Sequence, residues 1–376
     1  MKNRTVTAVL QLLCAAVFLN LAMWTTAKAQ NPIGLPAEKI TKIETAITSF
    51  MSRQSVPALS IAIVEDNQLR FQRGYGMADV ENFVPAKAST VYRIASVSKS
   101  LTAVAAMQLV ERGKLDLDAP VQKYVPSFPA KNFPITTRQL LAHLSGVRHY
   151  KRGEGERTNR YGSLTDALAI FKDDPLEHEP GTRFTYTTFG YTLLGAVIES
   201  ASATKYEDYL RENVYKPAGM SHTQVDDFYV VIPNRAEGYG RFENGDLRNA
   251  ALMDSSYKIP GGGLVSTAED LARFAINVQN GTLIKQEVFA QMTKSQKTSD
   301  GRETNYGYGW FVEMREGRLQ GEGSIWHGGV QPGFTSDLWL LPKKRFALVI
   351  LTNLEGGGRL GLGLLANQIY DVVSSQ

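Results

Sequence analysis

Apolar residues recur every three to four positions from Ala37 to Met51, with Ile40, Ile43, Ala46 and Phe50 on one side, and this predicts an amphipathic helix. Two β-rich runs follow, Ala58-Leu-Ser-Ile-Ala-Ile-Val64 and Gln68-Leu-Arg-Phe-Gln-Arg-Gly74. Asp66-Asn67 between them predicts a tight hairpin. From Ser100 to Glu111 the chain has no Gly or Pro and few charges, which predicts a long buried helix. The character changes at Pro126. Thr137–His143, Leu164–Phe171, Phe189–Ser200 and Tyr206–Tyr215 read as short helices joined by polar loops rich in Pro and Gly. Ser202 is expected to cap the segment that starts at Lys205, and Ser266-Thr-Ala-Glu269 reads as a capping box opening a helix to about Val278. Strands return at Gly309–Val312, Arg318–Trp326, Phe334–Leu341 and Arg345–Asn353, with Pro342-Lys-Lys344 as a hairpin turn. A last helix runs from Leu364 to Val373.

Short connections between the late strands require antiparallel neighbours. The simplest architecture is α/β plus all-α: one antiparallel sheet, flanked by the N- and C-terminal helices, with an inserted helical domain. The expected boundaries are residues 30–125 and 255–376 for the sheet domain and 126–254 for the helical one, with the active site between them. No internal repeat is evident.

Lys2 and Arg4, an apolar stretch from Val6 to about Trp24, and Ala27-Lys28-Ala29 form a secretory signal, residues 1–29, with cleavage after Ala29. The product is expected to be periplasmic or secreted, with no stable membrane span. Thr7, Gln11 and Asn20 interrupt the apolar run and weigh against the alternative of an uncleaved anchor. The one cysteine, Cys14, goes with the signal, which excludes disulfides, thiol catalysis and Cys–zinc sites in the mature chain. The net charge of +4 goes mostly with it too, because the signal holds Lys2, Arg4 and Lys28 and no acid. With no basic block or stripe elsewhere, nucleic acid is not an expected partner.

The candidate chemistry lies at the head of the apolar helix, in Ser96-Val97-Ser98-Lys99. A serine and a lysine three apart share a helix face, so the amine can reach the hydroxyl. Unpaired N–H groups of the first turn and the positive end of the helix dipole surround the serine oxygen. The chain has two more Ser-x-x-Lys matches, Ser202 to Lys205 and Ser255 to Lys258; the first reads as a helix cap and the second precedes a glycine loop. Two further stretches support Ser96. Tyr186, in Phe184-Thr-Tyr186-Thr-Thr188, sits just before a helix and can aim a phenol into a cleft. Phenol and amine both titrate near pH 10, so one of them needs a lowered pKa to take the serine proton; either arrangement works. Trp326-His327-Gly328-Gly329-Val330, at the end of a strand, has glycines that let a substrate backbone approach, an imidazole donor, and an N–H that could join that of Ser96 in an oxyanion site.

Other motifs fail. Gly361-Leu-Gly363-Leu-Leu-Ala366 mimics a dinucleotide fingerprint but lacks the following acid and reads as helix–sheet packing. His178-Glu179 runs into Pro180, which excludes a zinc-protease helix. The other histidines have no ligand spacing, and no Gly-x-Ser-x-Gly elbow occurs.

Together these residues resemble the serine β-lactamase and penicillin-binding-protein superfamily, in its class C-like branch. Ser96-Val-Ser-Lys99, Tyr186-Thr-Thr188 and His327-Gly328-Gly329 fall in order at its three motifs. Thr137-Arg-Gln-Leu-Leu-Ala-His-Leu-Ser-Gly146, Pro217-Ala-Gly-Met220 and Gly262-Gly-Leu-Val-Ser-Thr-Ala-Glu-Asp-Leu-Ala272 match as well, and the stretches around Tyr150 and Tyr186 look closest to the mitochondrial β-lactamase-like serine proteins. The resemblance implies acyl transfer through a Ser96 ester, with Lys99 and Tyr186 sharing base and acid duties. It places the Ser96 and Val330 N–H groups at the oxyanion. Substrate would meet His327, Gly328, Gly329, Thr188 and Tyr150. It implies no metal and no cofactor, and a small-molecule or peptide partner. Thr188 stands where the family has asparagine, His327 where it has lysine, and Gly328 where it has a hydroxyl residue. Recognition of a substrate carboxylate is thus expected to be weaker or pH-dependent. The leading expectation is an exported serine hydrolase for a peptide, amide or ester. The alternatives are a true β-lactamase or D,D-carboxypeptidase, a Ser96–His327–Asp337 mechanism, and a non-catalytic binding or assembly protein on a hydrolase scaffold.

Overall fold

The computed structural model describes residues 34–312, 323–356 and 360–375. The expected signal, residues 1–29, and the first part of the strand expected from Arg318 lie outside these. Ala37–Gln376 forms one unit. Its frame is a seven-stranded antiparallel sheet. The strands are β1 (Ala58–Glu65), β2 (Gln68–Asp79), β3 (Val84–Pro85), β4 (Phe311–Val312), β5 (Ile325–Gln331), β6 (Phe334–Leu341) and β7 (Phe346–Thr352). The order is β3-β2-β1-β7-β6-β5-β4, so the N- and C-terminal strands meet in the middle, with Leu59 opposite Thr352. Asp66 and Asn67 turn the first hairpin at φ +54° and +56°, the left-handed pair whose twist matches the strands.

Nearly every residue of β1 and β7 is buried, because both sheet faces are covered. On one face, Ala58, Ala62, Val64, Leu338, Leu340, Val349 and Leu351 join a core with helices α2 (Ser98–Glu111), α3 (Thr188–Ser202) and α4 (Ala268–Gln279). The alternate residues Leu59, Ile61 and Ile63 point to the other face. There α1 (Ala37–Gln54) buries Ile43, Ala46, Ile47 and Phe50, and α5 (Leu362–Ser374) buries Leu365, Ala366 and Ile369. Lys39 Nζ donates to Val373 O at 2.7 Å and ties these two helices. The first and last helices therefore cover one face only.

Helices α2 and α3 are apolar all round and buried almost throughout, which suits their place between sheet and loops. Several element ends differ from expectation. The Tyr206 helix has Lys205 at its N-cap and no side-chain cap; Ser202 turns back to accept from Thr204 N at 3.3 Å. The cap of α4 is Thr267, which accepts from Asp270 N at 3.1 Å, one residue later than the expected box. The helix from Thr137 stops at Leu141, and His143 lies at φ +57°. Between Ala218 and residue 254 the stretch expected to be helical carries short ladders instead. Gln224–Val225 and Tyr92–Arg93 flank Leu264–Ser266, and Tyr239–Arg241 pairs with Leu247–Asn249. Trp326-His-Gly-Gly lies inside β5, not at its end. Among the described residues no helix is long and apolar enough to cross a membrane.

Candidate active site

Ser96 sits in a 3₁₀ turn, Ala95–Val97, that runs directly into α2. Ala95 takes φ +45°, a left-handed conformation that costs a residue with a Cβ and bends the chain sharply just before the serine. The turn is clamped from two sides. Ser336 Oγ of β6 donates to Ile94 O at 2.7 Å. Gly329 of β5 passes so close that a Cβ there would lie 2.4 Å from Ile94 O and 2.9 Å from Ala95 Cβ. Ser96 stays partly exposed, whereas its neighbours Ala95 and Val97 are buried.

Lys99 is fully buried one turn on. Its Nζ lies 3.2 Å from Ser96 Oγ, 3.2 Å from Thr188 Oγ1 and 2.5 Å from Gly261 O. The Tyr186 ring centroid is 4.8 Å away and that of Tyr191 5.5 Å. Burial, helped by the positive charge of Lys258, holds the Lys99 amine well below the ordinary lysine range. Burial raises the Tyr186 phenol above the usual value, against the lowering effect of nearby Ser96, so it stays protonated. Ser96, Lys99 and Tyr186 are thus brought together as the spacing predicts. Thr188 faces the lysine with its hydroxyl and gives its N–H to His149 Nδ1 at 3.1 Å.

The cleft has a volume of about 640 Å³. Tyr186, Thr188, Tyr150 and His149 line it from the 126–254 stretch, and Ser96, Lys258, Trp326, His327, Gly328, Gly329, Val330 and Asp337 from outside it. Gly361, Gly363 and Leu364 at the start of α5 form part of its rim, so the glycines expected only to pack a helix on the sheet also reach the cleft. His327 is 1% exposed. Its Nδ1 faces Gly328 O at 2.8 Å and its Nε2 faces Tyr306 OH at 3.1 Å. A carbonyl only accepts, so Nδ1 carries the proton and Nε2 takes that of the tyrosine. Burial and then Lys99 push its pKa down to about 3. The expected imidazole donor is therefore spent within the protein, and the imidazole is bonded neither to Ser96 nor to Asp337. Gly329 has no room for a side chain against the Ile94 backbone, whereas a Cβ on Gly328 would meet the Asp337 carboxylate end at 2.7 Å. Val330 is exposed and pairs with Thr335. Counted from the hairpin-closing pair Gln331–Phe334, the antiparallel alternation turns the Val330 N–H away from β6.

Sequence reasoning missed three participants. Gly261, whose carbonyl holds Lys99, and Tyr306, which holds His327, are distant in the chain, and nothing local marks them. Lys258 was visible in the third Ser-x-x-Lys match but was read as part of a loop. Tyr150 stacks on His149 at 4.3 Å between centroids and packs near Tyr257 at 6.0 Å, on the cleft wall.

The beta-lactamase family profile matches residues 43–368. The chain belongs to this family, within the serine β-lactamase and penicillin-binding-protein superfamily. It is 36% identical over 287 residues to the human mitochondrial serine beta-lactamase-like protein LACTB, a match covering 58% of this chain and 52% of that protein. The chain thus spans about half the length of that relative. The octameric penicillin-binding protein homologue of Pyrococcus abyssi superposes with a TM-score of 0.74 at 28% identity, covering 89% of this chain and 76% of the other. D-amino acid amidase from Ochrobactrum anthropi SV3 shares the fold, with a TM-score of 0.77 at 24% identity over 90% of this chain and 99% of its own.

Proposed function

We propose that this protein is an exported acyl-transfer hydrolase that cleaves a peptide, amide or ester bond through a Ser96 acyl-enzyme. The observation that carries this reading is the surroundings of Lys99. A neutral amine has two hydrogens and one lone pair. Gly261 O can only accept and Thr188 Oγ1 can accept, so the two hydrogens go there and the lone pair is left for the Ser96 hydroxyl. Lys99 then takes the serine proton as Oγ attacks the acyl carbon. The protonated Tyr186 phenol gives its proton to the leaving group. The Ser96 and Val330 N–H groups receive the oxyanion, and water, activated by the same pair, releases the acid. The sheet part, residues 30–125 and 255–376, and the part spanning 126–254 are the two walls in this reading. Export rests on the signal pattern of residues 1–29.

Intact-mass analysis after exposure to a fluorophosphonate tests the nucleophile. One adduct is expected, absent in Ser96→Ala; no adduct, or one that persists in that variant, sinks the assignment. In a parallel penicillin incubation, a stable adduct assigns a penicillin-binding protein and rapid turnover a β-lactamase; neither is expected, since His327, at the third-motif position on the sheet wall, offers no charge at that wall to a β-lactam carboxylate. The N-terminus of the protein recovered from a secreting host is expected at Gln30.

A further inference from the structure

We propose that the Lys258 ammonium is the anion-recognition group of this cleft, so that the enzyme prefers acyl substrates carrying a second, ionised carboxylate. This deepens the hydrolase reading and rests on it. Lys258 ends the turn Ser256–Lys258, just before Gly261 and Gly262, and lines the same cleft as Ser96. It is 4% exposed. Its Nζ meets Met253 Sδ at 2.9 Å and Gly155 O at 3.4 Å, and the rings of Tyr257 and Tyr150 at 5.3 and 6.0 Å. None of these is an anion. The acids that act on it are Asp226 and Glu156, opposed by Arg93. Asp226 is already committed, to Arg93 at 2.9 Å and to Arg235. Glu156 lies in an exposed position. A buried amine without a close counter-ion is costly, and the strain shows: burial first, then Arg93, bring Lys258 down to about 7.

Among the described residues, the rest of the cleft offers no competing cation. Lys99 is held neutral by burial and engaged with Ser96, Thr188 and Gly261. His327 and His149 are pushed down to about 3 and about 4. A ligand carboxylate on the wall of Tyr150, His149 and Gly262 supplies the counter-ion Lys258 lacks, and its arrival favours the charged amine.

The test compares mono-4-nitrophenyl glutarate with its neutral methyl ester. The wild type is expected to prefer the anionic ester about tenfold or more in kcat/KM at about pH 6. That preference is expected to fade toward about pH 8.5 as Lys258 loses its proton, while the glutarate carboxylate stays ionised throughout. Lys258→Met is expected to remove the preference, read as the ratio of kcat/KM for the two esters at one pH so that any effect through Lys99 divides out, and Lys258→Arg to restore it without its decline at high pH. Equal losses on both esters in Lys258→Met, or a preference that survives it, overturn the proposal. The wild-type pH series needs no variant, so a misfolded substitution does not shield the idea. Calorimetric binding of glutarate against dimethyl glutarate to Ser96→Ala separates the two readings. Turnover of neither ester with glutarate still bound sinks hydrolysis alone, and absent glutarate binding sinks the role of Lys258.

Discussion

The state of Lys99 decides what Tyr186 does. In the proposed mechanism, with the amine neutral and the phenol protonated, the first proton transfer falls to lysine and the second to tyrosine. The two substitutions should then differ. Lys99→Met is expected to abolish both fluorophosphonate labelling and turnover. Tyr186→Phe should still label slowly, because fluoride leaves without a proton, yet lose roughly a hundredfold or more in turnover, with amides hit harder than aryl esters. Rapid mixing with the inhibitor and steady-state kinetics on an ester–amide pair check this; equal losses on ester and amide would remove tyrosine from the leaving-group side. The pH profile has a sign as well. Lys99 must be unprotonated to act, so kcat/KM is expected to fall on the acid side as the amine gains its proton, and Tyr186→Phe should keep that limb. Ser96, Lys99 and Tyr186 were legible because the motif spacing and helix context carry them. Gly261, Tyr306 and the true partners of His327 were not, because hydrogen bonds between distant segments leave no mark on either segment alone.

Elements hold these residues in place through a few close approaches. Strand β5 can lie against the nucleophile turn only because Gly329 has no side chain. Gly329→Ala is therefore expected to push the turn away and cost about a hundredfold or more in kcat/KM, a larger loss than the unfolding free energy alone would suggest. The melting temperature, read beside the kinetics, distinguishes a displaced serine from a collapsed fold. On the opposite wall, the loop bearing His149 and Tyr150 is pinned by Arg148. Its guanidinium, 7% exposed, bonds Glu154 at 2.6 Å and Asp174 at 2.5 Å. Arg148→Met removes the buried cation and leaves Asp174 only Lys151 at 3.0 Å and Glu154 only Arg157 at 3.2 Å, which should destabilise by about 2 kcal/mol, measurable by urea unfolding. A change under about 1 kcal/mol would mean the pair is solvated in practice. The long periodic elements were readable in advance, from α1 to the β1–β2 hairpin. Their ends were less so, because Thr267 rather than Ser266, and Lys205 rather than Ser202, won the caps once tertiary packing fixed the chain's approach. The ladders beyond Ala218 involve two or three residues each, too few for any periodicity to register.

At the scale of the whole molecule, the site imposes a pH limit on stability. His143 is fully buried and His327 nearly so, and burial with the nearby Lys99 lowers both; His149 is lowered to about 4 in the same way. In the unfolded chain each titrates near 6.5. Between about pH 6.5 and pH 5 the unfolded state therefore binds protons that the folded state refuses, so stability falls as pH falls through that window. The loss approaches about 1.4 kcal/mol per pH unit for a fully buried histidine, and is smaller near 6.5 where the unfolded chain is only half protonated. Most carboxylates titrate lower; burial raises Glu199 and Asp270, whose proton uptake in the folded state opposes the decline. Urea unfolding of the wild type at about pH 7, 6 and 5 is expected to show this decline. His327→Gln keeps a polar group beside Tyr306 but cannot titrate, so its slope against pH should be shallower by about one proton. An unchanged slope would mean that His327 takes up its proton in the folded state, and with it that the third-motif position can carry charge after all.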